Sequence, residues 1–471
     1  MHAAIAGASG FVGRALTAHL LEGGHEVVAL GRTVSSLSTA ARTVDVDVGD
    51  ETATTAALEG VDAAYYLVHS MAAGSGFRQA DLRLATSFGQ AAARAGVGRI
   101  VYLGALGNAP GSAHLASRQE VGPALGGAGV DVVELRAAVV FGSGSISFEM
   151  LRALTERLPA MVCPRWVRTR IQPIARADLL EYLEQSLQVA PGTYEIGGAD
   201  VTTYREMISA YATVRGLRPR RIVDIPLLTP HLSSYWVDLV TPVDASISHA
   251  LIESLVTEVV VTDAGPTADA FSVTPIGVEA ALAAALAEQE EEIARSLFDR
   301  QNGLSDGVYS VVVDVAVPPG IDDAVARDLV RIGGSLAWYG AATGWALRLL
   351  LGRLFGERLQ RRRPEAVVDG ALVDWWRIVR TEPGELVLGA VGWFPGDAWL
   401  GYRVRQGSLR QVAAFRPRGI PGFLYWKLLG PVHQLAFDRM ARHRIRRASR
   451  HASVDASLST AVVLHHPEGD E

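Results

Sequence analysis

The stretch that decides the fold is residues 1–16, MHAAIAGASGFVGRAL, where Gly7, Gly10 and Gly13 stand three apart between an apolar run and a helical pattern. The first glycine permits a tight strand-to-helix turn, the second lets backbone approach a pyrophosphate, and the third lets the helix pack closely on the sheet. The helix that follows presents unpaired N–H groups at its start, where phosphate is favoured. A glycine triplet also marks ordinary turns, and its place after the first strand of a βαβ unit is what makes it a dinucleotide signature. The residues expected against the cofactor are Gly7, Ser9, Gly10, Phe11, Val12 and Gly13.

Outward from this turn, HAAIAG, EVVAL, RTVDVDV, AAYYLV, RIVYLG and VDVVELR alternate with helical patterns as far as about residue 140. Apolar strands separated by helices predict an α/β fold, a doubly wound parallel Rossmann sheet. Residues 141–300 mix helical patterns with the Pro-broken, apolar DIPLLTPHLSSYWVDLVTPV and read as a covering lobe, so that 1–300 form one nucleotide-binding domain with a substrate lobe. After the turn-rich DRQNGLSDG, a second domain is expected over 307–466. Its strands VYSVVVDVAV, LVDWWRIVRT, ELVLGAVGW, AWLGYRVRQ and LRQVAAFRP are joined by the short turns EPGE, FPGD and QGS, which makes the later ones antiparallel neighbours. A last helix is predicted over about Gly422 to Arg447.

The chain has 471 residues, 49% hydrophobic and 20% charged, enough apolar material for two cores. Fifty acidic against 44 basic residues argues against nucleic acid as a partner and for a small molecule. The single cysteine, Cys163, excludes an internal disulfide, and no His, Cys or Glu cluster has metal-ligand spacing. GGSLAWYGAATGWALRLLLG is interrupted at Arg348, short of the roughly 20 apolar residues that a span needs, so no transmembrane segment is expected and a cytoplasmic location is.

Cofactor choice is read at the end of the second strand, VVALGRT. Arg32 stands where NAD-binding folds place an acid against the ribose 2′-hydroxyl, and a cation there suits a 2′-phosphate, so NADP(H) is expected over NAD(H). Asp47 and Val48, after the third strand, are expected at the adenine.

GASGFVG, VVALGR, YYLVHSM, RIVYLGAL, HLASRQEVG and ELRAAVVFGSGSISFEMLR together resemble the extended, atypical branch of the short-chain dehydrogenase/reductases, and more narrowly NmrA-like NAD(P)-binding proteins with an appended domain. VDWWRIV, WFPGDAWLGYRV and AFRPRGIPGFLYWKLLGPVHQLAF resemble that appended domain, which is similar to START/SRPBCC helix-grip folds. The resemblance implies a Ser at the end of the fifth strand and a Tyr-x-x-x-Lys pair on the next helix. Here that strand ends YLGAL, so Gly104 and Ala105 offer no hydroxyl, and His114 and Arg118 stand at the Tyr and Lys positions. The i, i+4 spacing puts both on one helix face. Arg118 suits ribose hydroxyls but is too basic to move a proton, whereas a histidine, with an unperturbed pKa of about 6.5, can donate one near neutrality.

His114 and Arg118 are therefore the catalytic candidates, and His69, Trp166, Gln172 and Tyr235 the substrate-lining ones. Two functions follow. The first is an NADP(H)-dependent oxidoreductase acting on an unidentified small or lipid-like molecule. The alternative is a non-catalytic NADP(H)-binding redox sensor or scaffold, to which the missing Ser and Tyr point. The basic end of the last helix and RLLLGRLFGERLQRRR add peripheral contact with anionic lipid as a secondary reading.

Overall fold

The computed structural model describes residues 1–37, 39–69, 76–107, 113–224, 257–298, 308–333, 364–391 and 395–463. The chain divides into two compact units, Met1–Glu288 and Gln289–Glu471.

The central strand runs of the first unit, such as HAAIAG and AAYYLV, are apolar at consecutive positions, so both faces of those strands must be covered. Seven strands form its main sheet: β1 (His2–Ala6), β2 (Glu26–Gly31), β3 (Arg42–Asp45), β4 (Ala63–Tyr66), β5 (Arg99–Ala105), β6 (Asp131–Ala137) and β7 (Gly192–Ile196). Their order is β7-β6-β5-β4-β1-β2-β3, and every pairing is parallel. Helices α1 (Phe11–Glu22), α2 (Glu51–Ala57), α3 (Phe77–Ala95), α4 (Ala113–Gly126) and α6 (Arg176–Gln185) cover it, while α5 (Ile146–Arg157) and α7 (Tyr204–Val214) pack together in a separate core with Phe148 and Tyr211. Ala3 and Ile5 of β1 face one core, with Leu16 and Leu20 of α1 and Leu179 and Leu183 of α6. Ala4 and Ala6 face the other, with Ala57 of α2, Phe88 and Ala92 of α3, and Val121 and Leu125 of α4. Helices thus cover both faces, as a doubly wound sheet requires. β7 is not among the six expected strands; it comes from the stretch read as covering lobe and extends the sheet at β6.

The second unit holds a separate antiparallel sheet of six strands: β8 (Tyr309–Ala316), β9 (Leu372–Val373), β10 (Trp376–Glu382), β11 (Glu385–Ala390), β12 (Gly396–Arg405) and β13 (Ser408–Pro417). The order is β8-β13-β12-β11-β10-β9. LVDWWRIVRT, expected as one strand, is broken at Asp374, whose φ of 55° turns the chain between β9 and β10. One sheet face, with Val387, Trp399 and Val412, packs on Ile293 of α8 (Val278–Ser296) and on Leu297 just beyond it. The other face, with Leu400, Tyr402 and Ala413, packs on α9 (Asp322–Leu329) and α10 (Gly419–Val463). α10 begins earlier and runs further than the helix expected from the sequence. Among the described residues no helix is long and apolar enough to cross a membrane.

Candidate active site

Several helices of the first unit close their first turn with a side chain. Asp50 accepts from Thr52 and Ala53 at α2, Ser145 caps α5, and Thr203 with Glu206 forms a capping box at α7. α1, like α3 and α6, has no side-chain cap, and Gly10 stands at its N-cap. The first-turn amides of α1 are therefore left for another acceptor. The turn before it is held by backbone alone, Gly10 N–H donating to the Gly7 carbonyl at 3.0 Å and Gly7 N–H to Leu30 at 3.0 Å.

The glycines here are required. Gly7 has φ 88°, and a Cβ on it would lie 2.9 Å from the Leu67 carbonyl oxygen. A Cβ on Gly13 would lie 2.8 Å from Ala8 Cα, so α1 seats directly on the turn. Ser9 and Gly10 are exposed and Phe11 and Val12 half-buried. β1 lies between β2 and β4, and the chain returns from β3 to β4 on its far side, so the turn sits at a switch in strand order, where open α/β sheets bind ligands.

Arg32 follows β2 and is exposed, and no hydrogen bond or ion pair holds its guanidinium among the described residues. Three residues on, Ser35 donates its N–H at 2.9 Å to Asp45 at the end of β3, and its hydroxyl donates to the same carboxylate. These bonds hold the Asp45 carboxyl below its ordinary range. Sequence reasoning misses Asp45, because DVDVG draws attention to Asp47 instead. Asp47 is exposed and accepts the Gly49 N–H at 2.9 Å, and Val48 is buried beside it.

At the end of β5, the absent serine has a structural counterpart. A Cβ on Gly104 would lie 2.8 Å from Glu134, and one on Gly122 of α4 would lie 2.6 Å from the same carboxylate. Glu134 is buried and held by Arg136 at 2.8 Å. The carboxylate fills the space a serine side chain at Gly104 would take. Arg118 is half-buried: its guanidinium donates to the Leu103 carbonyl and lies 5.1 Å from the centre of the Tyr102 ring. The Tyr102 hydroxyl donates to the Arg118 carbonyl at 2.8 Å, and burial pushes its pKa up to about 12. His114 lies on the first turn of α4, one helical turn before Arg118; its side chain is outside the described residues.

His69, after β4, has Nδ1 3.7 Å from Asp81 Oδ2. Asp81 is buried and accepts the Ser117 hydroxyl at 3.3 Å, joining α3 to α4. Burial lowers the His69 pKa, Asp81 opposes that, and the Arg118 charge adds to it. Nothing in the sequence spacing links His69, Asp81 and Ser117. Gln172 uses both ends of its carboxamide on backbone, donating to Gly198 at 2.8 Å and accepting from Val261 at 3.0 Å. Trp166 lies on the short helix Arg165–Arg168, its side chain outside the described residues, and Tyr235 lies wholly outside them. Among the described residues no group of His, Cys, Asp or Glu could hold a metal ion.

Comparison with known proteins agrees with this geometry. Residues 7–132 match the family described as NAD(P)H-binding, and residues 306–440 match a family described as a protein of unknown function, DUF2867. An uncharacterized protein of Mycobacterium tuberculosis is 28% identical over 211 residues, 45% of this chain; the match spans 23% of that protein's length. Among solved structures, a UDP-glucose 4-epimerase of Thermotoga maritima, 12% identical, covers 62% of this chain and 100% of its own with a TM-score of 0.50. An NADPH-dependent quinone oxidoreductase of Escherichia coli, 18% identical, covers 59% of this chain and 98% of its own with a TM-score of 0.49. Residues 7–132 are therefore matched as an NAD(P)H-binding domain, and they lie on a parallel Rossmann-like sheet of the fold seen in the Thermotoga maritima epimerase.

Proposed function

We propose that the protein is an NADP(H)-dependent oxidoreductase of the atypical short-chain dehydrogenase/reductase kind, acting on a small or lipid-like carbonyl compound. The observation that carries this is the uncapped first turn of α1 behind glycines whose missing Cβ atoms leave the backbone open, at a switch in strand order. Gly7, Ser9, Gly10, Phe11, Val12 and Gly13 would hold the pyrophosphate, Arg32 the 2′-phosphate, Asp47 and Val48 the adenine. Arg118 would hold ribose hydroxyls with the guanidinium N–H groups that Leu103 does not engage. When bound, the nicotinamide supplies hydride chemistry, and the chain's own task is to orient the substrate and deliver one proton.

In this reading His114 donates that proton from the helix face it shares with Arg118, and His69 lines the substrate side. Gln172 would belong to the covering wall, and the roles expected of the Trp166 side chain and of Tyr235 lie outside the described residues. The second domain, 307–466, is a helix-grip module; a six-stranded antiparallel sheet in the order β8-β13-β12-β11-β10-β9 with α10 packed on one face supports that.

One observation favours a second function, that of a non-catalytic NADP(H)-binding sensor or scaffold. Glu134 fills the space over Gly104 where a carbonyl-polarising hydroxyl would stand. A panel of aldehydes, ketones and enones with NADPH, followed by loss of nicotinamide absorbance, separates the two. An enzyme turns over at least one of them, and His114→Ala lowers that turnover by about two to four decades while leaving cofactor affinity intact. NADPH binding without turnover on any substrate selects the sensor.

A further inference from the structure

The exposed side of α10 changes character along its length. Leu424, Leu428, Val432 and Leu435 are exposed, Leu428 by 74% and Val432 by 59%. Arg439, Arg442, Arg446 and Arg450 are exposed too. The spacing through all eight is three or four residues, so they form one stripe on one helix face, apolar for its first half and basic for its second. The face packed on the sheet is the opposite one, with Met440, Ala441, Arg444, Ile445 and Ala448 buried.

Two features say what such a stripe fits. Between Gly419 and Arg450 the helix carries seven Lys and Arg but a single acid, Asp438, on a chain whose net charge is −6. Arg444 and Arg447 pair with Asp328 of α9, and the other five, Lys427, Arg439, Arg442, Arg446 and Arg450, are exposed. Asp438 is itself paired with Arg442 at 2.9 Å. A cleft of about 530 Å³ runs beside the apolar half between α10 and β8, lined by Val312, Val313, Asp314, Gln434, Leu435 and Asp438. Its other acid, Asp314, is paired with Arg410 at 2.8 Å. The local surface therefore offers exposed leucines and valines beside excess positive charge. That combination matches the acyl boundary and anionic headgroups of a bilayer surface.

We propose that this stripe docks the protein on an anionic lipid bilayer, with the apolar half entering the interface and the basic half lying along the headgroups. The stripe belongs to the second unit and the nucleotide turn to the first, so docking on lipid does not depend on whether the protein is an enzyme. A peripheral helix of this kind binds through buried apolar area plus attraction to anionic lipid, and the second part weakens with salt.

The test is co-sedimentation of the full chain with vesicles of phosphatidylcholine alone and of phosphatidylcholine mixed with phosphatidylglycerol. The protein should pellet with the anionic vesicles and be released by added salt. Arg439→Gln/Arg442→Gln/Arg446→Gln should weaken partition roughly a hundredfold, three surface charges each contributing about 0.7 of a decade. Leu428→Glu/Val432→Glu should weaken it at least roughly tenfold. All five positions are exposed, so circular dichroism and NADPH binding should be unchanged in both variants. No pelleting with anionic vesicles at low salt overturns the proposal, as does equal pelleting of the variants. A dimer by light scattering that Leu428→Glu/Val432→Glu dissociates, without lipid binding, assigns the face to a second copy instead.

Discussion

The Asp45 carboxylate, at the end of β3, accepts both the N–H and the hydroxyl of Ser35 in the loop that follows β2. Asp45 stands opposite Gly31 in the sheet register, one residue before Arg32. Two donors that could meet a 2′-phosphate are thus engaged by an acid, beside the arginine proposed to bind that group. Replacing Asp45 with Ala should free Ser35, remove a like charge and raise affinity for NADPH roughly tenfold with little change for NADH. Paired titrations of the variant and the native protein check this; an unchanged ratio of the two affinities removes Asp45 from cofactor selection.

Gly13→Ala tests the turn itself. The added methyl meets the Gly7 carbonyl and, at 2.8 Å, Ala8 Cα, and neither partner is a movable side chain. Overpacking of this kind costs about 1 to 3 kcal/mol, and the displaced helix should also lose its alignment on the phosphate. Urea denaturation should show the lower stability and a dinucleotide titration the weaker binding. Native behaviour in both would mean that α1 does not seat on the turn as described.

The His69 environment gives a pH prediction. Burial disfavours its charged form, so its pKa lies below the ordinary 6.5 and the imidazole is neutral at pH 7. A histidine held neutral in the fold costs nothing at high pH. As pH falls below about 6.5 the unfolded chain takes up the proton first, and stability declines until the folded pKa is passed. Asp81 partly offsets the burial, so Asp81→Asn, which keeps an acceptor for Ser117, should lower the His69 pKa further. Histidine Cε1 shifts followed by NMR read both values. A pKa above 6.5, or one that rises in Asp81→Asn, contradicts the assignment.

Much of the first unit is legible in the sequence because central parallel strands buried on both faces, such as β1 and β4, read as apolar runs, while the edge strand β3 shows instead by the alternation in RTVDVDV. β7, GTYEI, escapes this reading. It is an edge strand with its first two residues exposed, so it lacks the continuous apolar signal of the central ones. Within the second unit the strands show by their alternation and their Gly turns, but Asp374 looks like any strand residue until its φ is known. The glycine turn is legible because its spacing is local. Asp45 with Ser35, Asp81 with His69 and Glu134 with Gly104 are not, since each pair is brought together by strand order or helix packing across 10, 12 and 30 positions.

The NADP(H) preference proposed for the turn at Gly7–Gly13 and Arg32 is read directly by calorimetric titration of the full chain with NADPH and with NADH. The predicted result is saturable binding of one NADPH per chain, about one to two decades tighter than NADH, with Arg32→Asp reversing the order. Equal affinities for the two, or no saturable binding of either, would contradict it.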